Sequence, residues 1–247
     1  TAFVIGNGAD ESNRSDAFKV MFNGDATVSN DLTIEGSLIL GGESYTSFSG
    51  GALSTVSEGG NTGVRLSSSD AANHGDIGSN AVDLSYSDSA STIFGATGQY
   101  SVSMGLKATA NGNVSTAMGR ETSASGIAST AMGRETTAIG ETSTAMGNRT
   151  TAYGYASTAM GRYTVSSDYA STVIGQYNSS GSTATSADSF STSAPAFVIG
   201  NGTDDSSRSD AFKVMFNGDA YVSNSLYLGG TEITSTAEEL NLLSGAT

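Results

Sequence analysis

The sequence predicts an all-β chain whose middle winds into a parallel β-roll, with β-hairpin modules on either side. Three observations carry this expectation. Gly105, Gly119, Gly133, Gly147, Gly161 and Gly175 recur every fourteen residues, each preceded by Met104, Met118, Met132, Met146, Met160 or Ile174. A second column, Gly98, Gly112, Gly126, Gly140 and Gly154, keeps the same period and ends at Asp168. Residues 2–36 also align without gaps to 196–230, with 27 of 35 positions identical. Repetition of this kind decides the architecture before local propensity does.

Composition excludes several other classes. The 247 residues include 42 Ser, 29 Thr and 32 Gly but one Pro and no Cys, and only 14% are charged. No periodic α-helical pattern of useful length occurs, while apolar residues make up 37% and recur at strict intervals, unlike a disordered chain. No run reaches the ~20 apolar residues of a membrane helix. Absence of Cys rules out disulfides and thiolate metal sites. Ten Lys and Arg against 24 Asp and Glu argue against a nucleic-acid partner. Lacking an initiating Met and a secretion signal, the chain is expected to be a segment of a longer product. Between 91 and 194 cations and anions balance, so the net charge of -14 falls on the flanks and marks them as separate modules.

Taken in order, residues 1–40 form a first hairpin or stalk module. Phe18, Val20 and Phe22 alternate with Lys19 and Met21 before Asn23-Gly24, which predicts a type I′ turn. Val28, Leu32, Ile34, Leu38 and Leu40 continue a strand-like alternation. Residues 41–90 form a Gly/Ser-rich connector and the roll's N-terminal cap. The roll occupies 91–194. Residues 195–230 repeat the first module and cap the C-terminal end, and 231–247 is a linker. In it, Thr236-Ala-Glu-Glu239 has capping-box spacing before a short helix.

Within each fourteen-residue coil, two glycines bound two short segments and supply corners with positive φ. Alternation sends Thr116 and Met118 to one face, Ser115 and Ala117 to the other. Ala and Ser fill only a thin interior, so the coil is flat and its Met column faces outward. A ladder of Met and Ile open to water favours burial against other chains, most simply in a closed trimer. The trimer ladder is then Met104, Met118, Met132, Met146, Met160 and Ile174. The alternative orientation, with Met inside and Ala at the interface, satisfies the same spacing.

No cofactor or metal is expected, and no catalytic site. His74, the single histidine, lies in Asn73-His-Gly-Asp76 without a nucleophile elbow or oxyanion motif. An ion held on a threefold axis is the other role it offers. Asp10-Glu11 and Asp204-Asp205 lack the spacing of a calcium loop and read as turn residues. The Thr116 column is flanked by Met, not by a second Thr column, which argues against an ice-binding face. Recognition is assigned to the variable corners. One carries Arg120, Glu121, Arg134, Glu135, Arg149, Arg162, Tyr163 and Tyr177; the other carries Tyr153, Tyr155 and Tyr169. Amphipathic Tyr and Arg suit contact with a glycan or protein. The bland alternative is that these are solvated corners whose Arg and Glu ladders offset each other.

The units Ser115-Thr-Ala-Met-Gly119 and Thr122-Ser-Ala-Ser-Gly126 resemble the head repeats of trimeric autotransporter adhesins. That resemblance implies a left-handed parallel β-roll assembled as an elongated homotrimer. Phe197-Val-Ile-Gly-Asn-Gly202, Arg208-Ser-Asp210 and Asn80-Ala-Val-Asp-Leu-Ser85 resemble segments that bracket such heads in adhesins and in phage or viral fibres. Gly230-Thr-Glu-Ile-Thr-Ser-Thr-Ala-Glu-Glu-Leu-Asn-Leu-Leu243 resembles a phage tail-fibre linker. The expectation is an extracellular, non-enzymatic virion tail-fibre segment that takes part in host attachment. Its partners would be itself, other fibre or baseplate proteins and a cell-surface glycan or protein receptor, with no membrane insertion in this segment. A bacterial surface adhesin and a passive fibre spacer are the alternatives.

Overall fold

The computed structural model describes residues 1, 3–6, 9–12, 15–23, 25–28, 38–40, 43–45 and 52–243. The chain divides into two compact units, Thr1–Ser49 and Gly50–Thr247.

In the first unit, β1 (Phe3–Gly6), β2 (Asp16–Val20) and β3 (Ala26–Val28) form an antiparallel sheet in that order. A small hairpin of β4 (Leu38–Leu40) and β5 (Glu43–Tyr45) follows. Leu32 and Ile34, expected to extend the strand pattern, lie outside the described residues.

The second unit opens with strands where a Gly/Ser-rich connector was expected. Alternating Leu53-Ser-Thr-Val-Ser-Glu58 makes β6 (Leu53–Glu58), which turns through Gly59-Gly60 into β7 (Asn61–Leu66). Both glycines have positive φ, 53° and 82°, as a two-residue hairpin turn requires. β7 pairs in parallel with β8 (Val82–Tyr86), so this hairpin closes the N-terminal end of the roll.

The roll then alternates short and long strands. They run β9 (Gly95–Ala96), β10 (Val102–Leu106), β11 (Thr109–Ala110), β12 (Thr116–Arg120), β13 (Ser123–Ala124), β14 (Thr130–Arg134), β15 (Thr137–Ala138), β16 (Thr144–Asn148), β17 (Thr151–Ala152), β18 (Thr158–Arg162), β19 (Val165–Ser166) and β20 (Thr172–Gln176). Long strands stack in one sheet and short strands in a second, each pairing in parallel with a register of fourteen: Met118 on Met132, Ala124 on Ala138. The product is a β-solenoid. At ~4.8 Å per rung, the long-strand rungs from β8 to β20 rise roughly 29 Å.

Alanine sets the thickness. The Ala117, Ala131, Ala145 and Ala159 column faces the Ala110, Ala124, Ala138 and Ala152 column across the interior, all fully buried. Ser115 and Thr122 and their equivalents complete the lining. Met and Thr project from the outer face, so the orientation with Met inside is not the one adopted.

The two glycine columns serve different ends, which corrects part of the sequence reading. Gly119 has φ of 127°, and a Cβ there would lie 2.0 Å from the Gly133 carbonyl oxygen. Gly126 does not adopt positive φ; its lack of a side chain lets coils approach, since a Cβ would lie 2.1 Å from the Gly140 oxygen. Further positive-φ corners are non-glycine: Lys107, Glu121, Glu135, Arg149, Tyr163 and Tyr177 on one edge, Tyr100, Val114, Ala128, Thr142, Ala156 and Ala170 on the other. In this conformation each corner amide points along the stack. Glu121 N–H donates to Leu106 O at 2.8 Å and Ala128 N–H to Asn113 O at 2.8 Å, and these inter-rung bonds offset the steric cost.

The second copy of the duplicated module closes the C-terminal end. β21 (Pro195–Asn201) lies parallel on β20 in coil register: Thr172 on Phe197, Val173 on Val198, Ile174 on Ile199, Gly175 on Gly200. β22 (Asp210–Met215) and β23 (Ala220–Val222) then add antiparallel. Their turn is not type I′. Gly218 N–H bonds Met215 O, Met215 N–H bonds Asp219 O, and only Gly218 has positive φ, at 93°. This is a three-residue loop ending in a left-handed glycine, held by the Asn217 side-chain amide on Asp219. The first copy has the same Met21-to-Asp25 bond and the same Asn23-to-Asp25 contact.

After the small hairpin β24 (Tyr227–Leu228) and β25 (Thr231–Glu232), the chain ends in α1 (Ala237–Leu243). Thr236 and Glu239 form the expected reciprocal cap: Glu239 N–H donates to Thr236 Oγ1 at 3.2 Å, and Thr236 N–H to Glu239 Oε2 at 2.7 Å. Among the described residues no helix is long and apolar enough to cross a membrane.

Candidate recognition surface

Three surfaces of the roll carry chemistry: two edges and the outer face of the long-strand sheet. The first edge follows the Met-Gly bend, where residues fourteen apart stack one rung above another. Unrelieved, Glu121 above Glu135 would repel. Arginines interleave instead: Arg120 contacts Glu121 at 3.2 Å, Arg134 contacts Glu135 at 2.9 Å, and Arg149 bridges to Glu135 at 2.5 Å. The hydrogen bond from Arg149 holds the Glu135 carboxyl below its ordinary value. Further along, Arg149 bonds the Tyr163 hydroxyl, and Arg162 lies over the Tyr163 and Tyr177 rings at 5.1 and 5.2 Å. The two rings stack at 4.6 Å.

Tyr177 therefore differs from its expected role as an exposed corner. It is only 6% exposed, covered by the Tyr163 ring and by Arg208, whose guanidinium lies 5.7 Å from its centroid. Arg120, Glu121, Arg134, Arg149 and Arg162 are exposed, while Glu135 and Tyr163 are half-buried. Most of this edge is paired within the chain.

The second edge is mixed. Tyr100, Val114, Ile127, Ile139 and Tyr153 are exposed along it, interleaved with exposed Asn111, Asn113, Ser125, Glu141 and Thr142. Tyr155 and Tyr169 are half-buried and stack at 5.2 Å, and their amides bond Ala187 O and Ser186 O of a surface loop. That loop is fixed by Asp168, the residue that breaks the second glycine column. Its buried Oδ1 accepts the Thr185 and Ser186 amides at 2.5 and 2.6 Å. The sequence signal for this anchor was present: one acidic residue in an otherwise invariant glycine register.

The outer face of the long-strand sheet carries the Met column, with Met104 39% and Met146 37% exposed. Register extends this stripe in both directions. Val82 and Leu84 stack below Val102 and Met104, and Phe197 and Ile199 stand above Thr172 and Ile174. Phe212, Val214 and Val222 carry the stripe onto the antiparallel strands. Across twelve strands at ~4.8 Å it runs for roughly 50 Å.

His74 belongs to a buried charge cluster at the N-terminal end of the roll. Its Nδ1 lies 3.0 Å from Asp83 Oδ2, while Ser85 Oγ donates to Asp83 Oδ1 at 2.6 Å. Arg65 reaches Asp83 at 3.2 Å, Glu58 at 2.8 Å and the Gly75 carbonyl at 2.9 Å. Burial alone would raise Asp83, but hydrogen bonds from His74 and Ser85 outweigh it and hold the carboxyl below its ordinary value. Ser85 Oγ also lies 3.5 Å from His74 Nδ1, so serine, imidazole and carboxylate meet in one buried cluster. The cluster ties β6, β7 and β8 together. Among the described residues no group of three or more His, Asp or Glu is arranged to hold a metal ion.

Four overlapping segments of the roll, residues 96–122, 115–136, 124–150 and 138–164, match the model of the YadA head domain repeat (2 copies). No curated protein shows significant similarity to the chain. The coils between 96 and 164 are thus similar to an adhesin head, and the observed β-solenoid is in keeping with that likeness.

Proposed function

We propose that the chain is a segment of a homotrimeric, extracellular, non-enzymatic attachment fibre. The observation that carries this reading is the apolar stripe on the long-strand sheet. The stripe runs roughly 50 Å, a Met and Ile column beside the Thr116 column, extended by Val, Leu and Phe at its two ends. Three such faces around one axis cover each other and close the assembly. The likeness to YadA head repeats supports the same arrangement. The edge that carries Ile127, Ile139 and Tyr153 among Asn113, Ser125 and Glu141 then stands outward in three copies. Weak contacts to a cell-surface glycan or protein gain affinity through avidity.

The carrier has two readings. The tail-fibre-like linker at 230–243 favours a phage or viral tail, with other fibre or baseplate proteins as neighbours; the YadA-like coils favour a bacterial surface adhesin. Genes for baseplate proteins or for a membrane-anchor barrel beside the coding sequence separate them. The test of attachment is binding of the fluorescently labelled chain to candidate host cells before and after Ile127→Ser/Tyr153→Ser. Loss of binding with unchanged assembly supports recognition by this edge. Full binding by the double variant leaves the roll a passive spacer.

A further inference from the structure

The duplicated module sits in two different surroundings, and the difference identifies an unfilled docking edge. In the second copy, β21 is a rung of the roll: Val198 fills the interior column above Val173 and is fully buried. Its counterpart Val4 is 41% exposed, and among the described residues β1 pairs only with β2. Glycine tells the same story. A Cβ on Gly200 would meet Gln176 O at 2.6 Å and the Asn178 amide nitrogen at 2.7 Å, so the roll demands glycine there. Among the described residues, a Cβ on Gly6 would meet nothing closer than Ser15 O at 3.5 Å, yet glycine is retained.

Other residues of the second copy act directly on the roll. Arg208 donates to Tyr163 O at 3.1 Å and Asn178 O at 3.3 Å. Asp210 accepts the Ser179 and Ser180 amides at 2.8 and 2.9 Å, and Gly202 admits the Tyr177 carbonyl. The first copy carries the same residue types at the aligned positions: Gly8, Arg14 and Asp16.

We propose that Phe3–Val28 is the C-terminal cap of another β-roll, and that the open edge of β1 receives the final rung of that roll, carried ahead of Ala2 on the same polypeptide. The occupant is a parallel strand of the Thr-Val-Ile-Gly-Gln type, as β20 is for β21. The order rung, connector, cap in the second copy places the occupant upstream in the chain. The protein would then be built of alternating rolls and caps, with the cap reused as the junction.

The test is the full chain extended at its N-terminus by a second copy of residues 52–195, joined directly to Ala2. Hydrogen exchange is read at the Val4, Ile5 and Gly6 amides, with Val198, Ile199 and Gly200 as internal reference. The expected result is protection of β1 rising at least about 100-fold over the unextended chain, towards the reference. Val4→Asp should abolish that gain in the extended chain and leave the unextended chain unchanged. Three results overturn the proposal: β1 exchanging freely in the extended chain, an added roll that fails to fold on this cap, or β1 protected in the unextended chain in proportion to protein concentration. The last would make a sister copy the occupant. A chimera with residues 2–36 in place of 196–230 guards the reading, because loss of roll stability there would show that the first copy cannot cap a roll.

Discussion

Replacing Met132 by Asp tests the outer stripe where it is most regular. Full burial of a methionine side chain contributes ~1.5–3 kcal/mol. Met132 is half-buried, against 39% and 37% exposure at Met104 and Met146, so at most roughly 0.6–1.1 kcal/mol per methionine remains for association. Three chains facing one another at one rung thus share about 2–3 kcal/mol. Met132→Asp removes that and brings three carboxylates together, a juxtaposition costing several kcal/mol more. The total is on the order of 5 kcal/mol, or between three and four decades in the association constant. Sedimentation velocity at micromolar and nanomolar concentration reads the result. The unmodified chain should sediment as three copies of a 24.8 kDa chain, and Met132→Asp as one, with the same β signal by circular dichroism. Ile127→Asp, on the exposed edge, should leave the assembly intact. A Met132→Asp variant that sediments like the unmodified chain would refute the reasoning, and an unmodified chain that is monomeric would end it.

Other expectations follow from single positions. Gly126→Ala drives a methyl group to 2.1 Å from the Gly140 oxygen and should cost more than about 3 kcal/mol, seen as a large fall in melting temperature; a small fall would mean the rungs separate cheaply. Thr136→Val removes a buried hydroxyl that has no hydrogen-bond partner and should stabilise the roll by ~1 kcal/mol in denaturant titration. Val114→Gly relieves a β-branched residue at φ of 60° and should also raise stability, by about 1 kcal/mol. Asp83 has a depressed pKa in the folded state, so its contribution is present above the unfolded value and lost as pH falls below about 4. Melting curves from pH 7 to 3 should show the loss, and Asp83→Asn should flatten the acid limb.

Repetition made the coil legible, and composition made its thickness legible. Ala117 and Ser115 are too small to fill a wide interior, which favoured a flat coil with Met outside; the opposite orientation fitted the same spacing, and the burial of the Ala columns decides between them. What stayed hidden was conformational. Two columns of non-glycine residues take left-handed corners, and nothing in Glu121 or Val114 announces it, because the driving force is an amide that must reach the rung below. Reading glycine as the corner residue was right for Gly119 and wrong for Gly126, whose purpose is close approach. The turn at Asn217-Gly218 likewise has the residues of a two-residue turn, but the Asn217 side chain engages Asp219 and lengthens the loop by one. At the Arg and Tyr edge, side-chain chemistry was visible and exposure was not: Tyr177 has the look of a surface residue, yet the terminal module folds over it through Arg208. The anchor Asp168 and the coil-like phase of Phe197-Val-Ile-Gly-Asn201 were readable, the first as a break in the glycine register, the second by laying it beneath Thr172-Val-Ile-Gly-Gln176.

The same packing is the physical ground for the proposed association of several chains. A roll lined with Ala and Ser buries little apolar surface per residue, and several lining hydroxyls, those of Ser115, Ser129, Ser143 and Thr150 among them, have no hydrogen-bond partner. Its cohesion comes from rung-on-rung hydrogen bonds, which are directional along the axis and do nothing to hold the coil laterally. Apolar mass is found instead on the outside, on Met, Ile, Phe and Val of the long-strand sheet. Moving those side chains inward would thicken the coil and break the fourteen-residue register at which Gly119 and Gly126 let neighbouring rungs touch. In the proposed trimer, lateral stability comes from other copies of the same face, and each added rung enlarges that interface in proportion.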